Sequence, residues 1–152
     1  GVNMLTLHCQ GGERMCRAAA EAAAGVSGQR PLLFGVTVLT SFAPGEMPGI
    51  EASPADFALA LARQAGPWGL DGVVCSGHEA TAIKASCPGL RCLCPGIRPA
   101  GSAAGDQRRV MTPALAIAAG ADYLVVGRPI TAAPDPLAMA RQITEEMASA
   151  HT

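Results

Sequence analysis

The chain has 152 residues, a mass of 15.3 kDa, 49% hydrophobic and 15% charged residues, and a mean hydropathy of +0.27. That is enough chain for one domain with its own core, and it excludes disorder, which needs low hydrophobicity and a large net charge. A net charge of −1 gives no electrostatic footprint for nucleic acid or an anionic membrane, and no apolar run nears the roughly 18 residues that span a bilayer.

Strand-like and helix-like segments alternate along the chain. Val2–Leu7 is a short apolar run closed by His8 and the Gly11-Gly12 pair, and no signal peptide is visible at the start. An alanine-rich helix is expected over Glu13–Ala24, stopped by Gly25. Pro31–Leu39 is a second apolar run, and Ser53 followed by Pro54 reads as a capped helix start running to about Gln64. Asp71–Cys75 is a third strand and Gly77–Ser86 a third helix. Leu90–Cys94 is a fourth strand, followed by the longest irregular stretch, Pro95–Arg109. Thr112-Pro113 opens a helix to Ala119, Asp122–Val126 is the fifth strand, and Asp135 to about Ala148 the last helix.

The strands are continuously apolar, as parallel strands covered on both faces should be. Five β-then-α units in series therefore argue a single domain over residues 1–152, with a parallel sheet and right-handed crossovers. Two closures fit. One is an open doubly wound sheet; the other is five-eighths of a (β/α)8 barrel, whose usual length is roughly 250 residues. Periodicity does not choose between them.

In both architectures ligands meet the C-terminal ends of the strands. His8, Thr40-Ser41, Ser76, Pro95-Gly96-Ile97-Arg98 and Gly127-Arg128-Pro129 lie there. Glycine lets a backbone approach a ligand closely, and guanidinium offers a planar fork that matches phosphate oxygens. Arg98 and Arg128 follow the last two strands, where barrels often build a phosphate site. The plainer alternative is two surface arginines beside turns. His8 is the sole ring at a strand end and reads as pocket wall more readily than as an acid–base group. His78 and His151 have no partner that the sequence suggests.

The single lysine, Lys84, falls inside a predicted helix, and Asp71 and Asp122 begin their strands, the end associated with stability. No strand end carries a carboxylate pair or a Schiff-base amine. The six cysteines lie in apolar strand and helix segments, without zinc or CxxC spacing, and are expected to be reduced packing residues of a cytoplasmic protein. Taken alone, these residues hold a phosphorylated ligand better than they transform one.

Five segments, in order, resemble a known family. His8-Cys9-Gln10-Gly11-Gly12, Val36–Ser41, Asp71–Ser76, Pro95–Pro99 and Asp122–Ile130 are similar to motifs of bacterial orotidine 5′-phosphate decarboxylase, with Asp106-Gln107 between the last two. The resemblance runs from residue 1 to about residue 140. It implies a (β/α)8 TIM-barrel fold, of which this chain carries about five units (strands 4–8). The implied reaction is decarboxylation of orotidine 5′-phosphate to uridine 5′-phosphate in pyrimidine biosynthesis, by a homodimer, with no cofactor and no metal.

By position in those motifs, Thr40 resembles the residue bonded to the pyrimidine ring. Arg98, Gln107, Gly127 and Arg128 resemble the family's set around the phosphate, and His8, Val74 and Pro95 are implied to form pocket wall. Pro99–Gln107 resembles the loop that folds over the bound nucleotide, and its Gly/Ala/Ser composition suits closure that excludes water. Cys9 and Gln10 depart from the small residues usual after the histidine, which is expected to alter packing near the ribose.

The family's catalytic lysine and aspartates belong to a D-x-K-x-x-D motif that precedes the HxxGG strand. The chain starts at Gly1, directly on that strand, so the motif is expected upstream of Gly1 and no catalytic residue is assigned within the chain. The expectation is a core fragment without decarboxylase activity. The alternatives are a self-sufficient five-unit module that binds a phosphorylated ligand without chemistry, and another phosphate-binding decarboxylase or aldolase barrel.

Overall fold

The computed structural model describes residues 1–99 and 109–150. Its five strands are β1 (Met4–His8), β2 (Leu32–Val36), β3 (Gly72–Val74), β4 (Arg91–Cys94) and β5 (Tyr123–Leu124). They form one parallel sheet in the order β1-β2-β3-β4-β5. A doubly wound sheet needs a reversal of strand order at its switch point; a barrel wall does not. The sequential order therefore selects the barrel. With right-handed crossovers it also places every connecting helix on one face.

The helices are α1 (Gly12–Ala24), α2 (Pro54–Ala65), α3 (Gly77–Ser86), α4 (Pro113–Ala118), α5 (Arg128–Thr131) and α6 (Pro136–Ser149), with a 3-10 turn at Cys9–Gly11. Three of them start alike. Ser53, Thr112 and Asp135 accept from the backbone N–H three residues on, at 3.1, 3.4 and 3.0 Å, and each is followed by proline. The cap supplies an acceptor for an orphan N–H, and proline costs nothing at a position whose N–H has no partner within the helix.

Four expectations are corrected. Gly1 does not lie on the first strand: β1 begins at Met4, and Gly1 is exposed ahead of it, where an added Cβ would meet nothing within 4 Å. β2 stops at Val36 rather than Leu39: the Thr37 N–H and hydroxyl still bond the Val74 carbonyl, at 3.1 and 2.9 Å, but the chain then leaves the sheet for a turn in which the Phe42 N–H takes the Leu39 carbonyl at 3.1 Å. β1 is not covered on both faces: it is an edge strand, with Met4 37% and Leu5 47% exposed. The residues after Gly127 wind into the single turn of α5 instead of continuing as loop, with Ile130 and Thr131 donating to the Gly127 carbonyl.

The helix-side core sets many small residues around Leu33, Leu70, Ile83, Leu90 and Ile97. Cys9, Cys16, Leu33, Ala62, Ala65, Val73, Cys75, Ala80, Cys92, Cys94 and Ala116 are buried in one cluster. A Cβ on Gly35 would sit 2.3 Å from the Cys9 sulfur, so glycine there is what lets Cys9 enter this layer. Cys9 thus packs beneath the sheet, and its effect is felt in the core.

On the opposite, concave face Phe34 lies across Gly72, whose Cβ would come within 2.4 Å of the ring. It meets Tyr123 edge-on with centroids 5.7 Å apart. β2 and β5 stand three spacings apart, about 14 Å in a flat sheet, so this contact requires curvature and a ring leaning over the glycine.

Charge is placed at the strand starts. The Asp71 carboxylate takes Arg30 at 2.8 and 2.9 Å and the Leu33 N–H at 2.8 Å. Asp122 repeats the device, taking Lys84 at 3.0 and 3.1 Å and the Cys92 N–H at 2.7 Å. Each aspartate satisfies a donor of the neighbouring strand while its own charge is matched.

Gly72→Ala should destabilise the fold by about 2 kcal/mol, since its methyl meets the Arg91 carbonyl at 2.5 Å as well as Phe34. Gly66→Ala, where φ is −60° and nothing lies within 4 Å, should be neutral or stabilising by about 0.5 kcal/mol. Paired urea denaturations check both.

Burial, with Cys16 nearby, pushes the Cys9 thiol from its ordinary 9.0 up to about 12. The folded state therefore holds this proton where the unfolded chain releases it. Its contribution is fully present below about pH 9 and declines as pH climbs toward 12. Urea midpoints measured between about pH 7 and 11 should fall on the alkaline side, and Cys9→Ala should flatten that fall.

Candidate functional site

All five strands point their C-terminal ends to one rim. Thr40 follows β2 in a turn closed by the Phe42 N–H on the Leu39 carbonyl at 3.1 Å, and it is only 6% exposed. Val74 ends β3. Pro95 follows β4, before Gly96, whose φ of +76° favours glycine. These three residues converge, with Val36, Leu39 and Ser41, around one cavity of about 190 Å³.

His8 ends β1, is exposed, and lines an adjoining cavity of about 250 Å³ with Gln10, Thr37 and Met47. The two cavities share Val38 and Leu39.

The arginines stand on the same rim at matched positions. Cys94 pairs with Leu124 across β4 and β5, and Arg98 and Arg128 each lie four residues beyond that pair. Arg98 is held at the backbone by its N–H on the Met111 carbonyl at 3.0 Å, and its Nη1 donates to the Ile97 carbonyl at 2.8 Å. Arg128 is exposed at the start of α5. Among the described residues, a Cβ on Gly127 would meet nothing within 4 Å. Neither arginine lines the Thr40 cavity. Gln107 lies outside the described residues.

Sequence reasoning misses two features of the rim. The first is Glu79, a carboxylate 3% exposed at the start of α3. It accepts the Ser76 N–H at 2.9 Å and ion-pairs with Arg109. Ser76-x-x-Glu79 is a capping box, a spacing legible in the sequence, but the arginine 30 residues on is not. Burial lowers the Arg109 pKa from its usual value. The second is His78, expected to lack a partner, whose Nε2 lies 3.1 Å from the Val110 carbonyl and donates to it. The chain returning from residue 109 brings that acceptor in.

A larger cavity, about 590 Å³, is at the opposite end of the sheet from this rim. It lies where α2 and α3 finish and β3 and β4 begin, lined by Arg63, Pro67, Asp71, Cys87 and Arg91. Lys84 is also at that end, paired with Asp122. Among the described residues no group of three or more His, Cys, Asp or Glu is placed to hold a metal ion. Among them, too, no helix is long and apolar enough to cross a membrane.

The fold and rim define a parallel β/α barrel wall with a small polar-edged cavity after β2 and β3 and two arginines after β4 and β5. Residues 1–143 match the family model described as the orotidine 5′-phosphate decarboxylase / HUMPS family, and the chain belongs to that family.

It is 57% identical over 154 residues to orotidine 5′-phosphate decarboxylase of Nitratidesulfovibrio vulgaris (strain DP4), covering 98% of this chain and 66% of that protein. To the enzyme of that name from Pseudomonas aeruginosa (strain LESB58) it is 51% identical over 149 residues, covering 97% and 64%. The crystal structure of orotidine 5′-phosphate decarboxylase from Lactobacillus acidophilus superimposes with a TM-score of 0.80 at 32% identity, covering 97% of this chain and 64% of that one. The chain thus spans roughly 65% of the length of the relatives it matches. This structural neighbour is a TIM barrel, which agrees with the strand order described above.

Thr37→Val removes the hydroxyl that fastens the end of β2 to the Val74 carbonyl and keeps the side-chain shape. It should cost about 1 kcal/mol in urea denaturation, because the carbonyl retains the Thr37 N–H.

Proposed function

We propose that this chain forms the pyrimidine- and phosphate-binding part of an orotidine 5′-phosphate decarboxylase, as one partial barrel domain over residues 1–152. The observation that carries the reading is the convergence of Thr40, Val74 and Pro95 on one cavity, on the rim that also holds Arg98 and Arg128.

In this reading Thr40 hydrogen-bonds the base, with Val74 and Pro95 forming the apolar wall. His8 walls the neighbouring space. Arg98, Arg128 and the Gly127 backbone hold the phosphate, joined by Gln107. The geometry suits a nucleotide in two ways. A 190 Å³ cavity is smaller than the roughly 300 Å³ at which small-molecule pockets begin, so it takes a ring and leaves the rest of the ligand outside. The step from β3 to β5 is about 10 Å, the scale of a nucleoside monophosphate. Charge-assisted bonds from a guanidinium fork then anchor the distal end.

The resemblance assigns protonation of the decarboxylated carbon to a lysine, with nearby aspartate charge opposing the substrate carboxylate, in a motif placed upstream of Gly1. The single lysine here is tied to Asp122 at the opposite end of the sheet. Binding and chemistry are therefore separable in this chain, and the 152 residues alone should not turn over orotidine 5′-phosphate. The edge position of β1, with Met4 and Leu5 exposed, supports association with further chain, and a homodimer is part of the proposal. The buried free thiols support a reducing, cytoplasmic compartment.

Calorimetric titration with uridine 5′-phosphate tests the reading. The chain should bind it, Arg128→Ala should weaken binding by about 2 kcal/mol, or about 30-fold, and an assay for carbon dioxide release should stay at background. Absence of binding, or unchanged affinity in Arg128→Ala, overturns the assignment; release of carbon dioxide overturns the separation of binding from chemistry.

A further inference from the structure

We infer that Arg109 is a positioning residue for Thr40, acting through the turn that carries it; this rests on the reading of Thr40 as the base-binding residue. The guanidinium of Arg109 joins three parts of the rim. Nη1 donates to Glu79, whose other carboxylate oxygen fixes the Ser76 N–H at the start of α3. Nη2 donates to the Leu39 carbonyl at 3.1 Å and lies 3.5 Å from that of Val38. The Leu39 carbonyl is the same atom that accepts the Phe42 N–H and closes the Leu39–Phe42 turn around Thr40. Arg109 itself is placed by the strand-like return in which Met111 and Ile97 bridge, beside Arg98.

The arrangement is buried: the side chain of Arg109 is 14% exposed and that of Glu79 2%. Arg109 Nε is also buried, with no hydrogen-bond partner among the described residues. A buried guanidinium is retained with one donor unmet where its remaining bonds are strong and geometrically demanding, as bonds to a carboxylate and a carbonyl pair are. Lysine, a point charge with one nitrogen, does not span Glu79 and Leu39 from the same place. Other anchors of the turn lie at its flanks: Val38 packs with Met47 and Ala58, and Thr37 bonds the Val74 carbonyl. Arg109 is thus the strut that sets how deep Thr40 sits in the cavity it shares with Val74 and Pro95.

The consequence is selective. Loss of the strut displaces Thr40, on the base side, and leaves Arg128 on its own helix turn. The experiment titrates the chain and its Arg109→Met, Arg109→Lys and Glu79→Gln variants with uridine 5′-phosphate and with ribose 5-phosphate, which lacks the base. Arg109→Met should bind uridine 5′-phosphate about tenfold more weakly and ribose 5-phosphate within about twofold of the parent, since small misplacements of a positioned group cost large factors. Amide exchange at Phe42 should accelerate in the same variant. Arg109→Lys should show partial recovery of both readouts.

Should Arg109→Met fail to fold, Glu79→Gln carries the test, with the same loss of base preference. Full base preference in a folded Arg109→Met or Glu79→Gln overturns the inference and leaves the nucleotide reading standing. Equal weakening of both ligands shows a merely structural role and also overturns it. Failure of the parent chain to prefer uridine 5′-phosphate over ribose 5-phosphate overturns the Thr40 reading itself, and this inference with it.

Discussion

Five parallel strands laid side by side in chain order are the constraint from which the rest of the molecule follows. Each β–α–β connection is right-handed, so with no reversal of order all the helices must fall on one side. That side becomes a two-layer core. The other becomes a concave wall, and all strand C-termini open on a common rim. The composition answers to this geometry. The helix layer touches the sheet through Ala62, Ala65, Ala80 and Ala116 and through cysteines on the strands, small groups that permit close approach. The concave face carries its bulk in Phe34 and Tyr123, and Gly72 gives Phe34 room to reach across the strand between them.

The two ends of the sheet divide the charged residues by purpose. At the starting end, Asp71 with Arg30 and Asp122 with Lys84 are matched pairs that also cap strand N–H groups, and their partial exposure limits what each pair adds. At the finishing end stand the proposed phosphate arginines and the buried Glu79–Arg109 pair. A buried pair is costly to desolvate, and it is retained where it fixes one arrangement among several. Here it fixes the turn after β2 against the start of α3. The larger cavity lies at the starting end, away from the rim where ligands usually meet a parallel sheet.

What is legible in the sequence is local. Ser53-Pro54, Thr112-Pro113 and Asp135-Pro136 announce helix starts because cap and proline act within one turn of chain. The continuous apolar runs announce parallel strands for the same reason, since each residue's preference is set by the layer above or below it. The motif segments point to Thr40, Val74 and Pro95, which the fold brings to one cavity. What is not legible depends on contacts between distant segments. Arg109 and Glu79 are 30 residues apart and Arg109 and Leu39 are 70 apart, and no periodicity relates them. The apolar run makes β2 look three residues too long because Val38 and Leu39 have strand composition. The ladder ends because the chain turns away after Thr37, and the Leu39 carbonyl is taken by the Phe42 N–H of that turn. At the chain start, Val2 extends the apolar run toward Gly1, yet pairing with β2 opens only at Met4 against Leu32. The helical turn at Arg128 is hidden by Pro129, which reads as a breaker although it is well suited to the first turn.

The geometry of the rim also orders the proposed ligand. A cavity of 190 Å³ walled by Val36, Val74 and Pro95 is apolar and narrow, with Thr40 as a hydrogen-bonding group at its margin. A flat, weakly polar ring is suited to it and a phosphate is not, because an unpaired dianion there would be stripped of water without compensation. The arginines lie beyond it, on the next two strands, where solvent reaches Arg128. In the proposed reading the charged end of the ligand stays at the margin while its ring enters, a polarity set by the cavity's lining and by the arginines on the next two strands. In that reading selectivity for the ring depends on the depth of Thr40, which is carried by a turn whose Leu39 carbonyl is held from across the rim by Arg109.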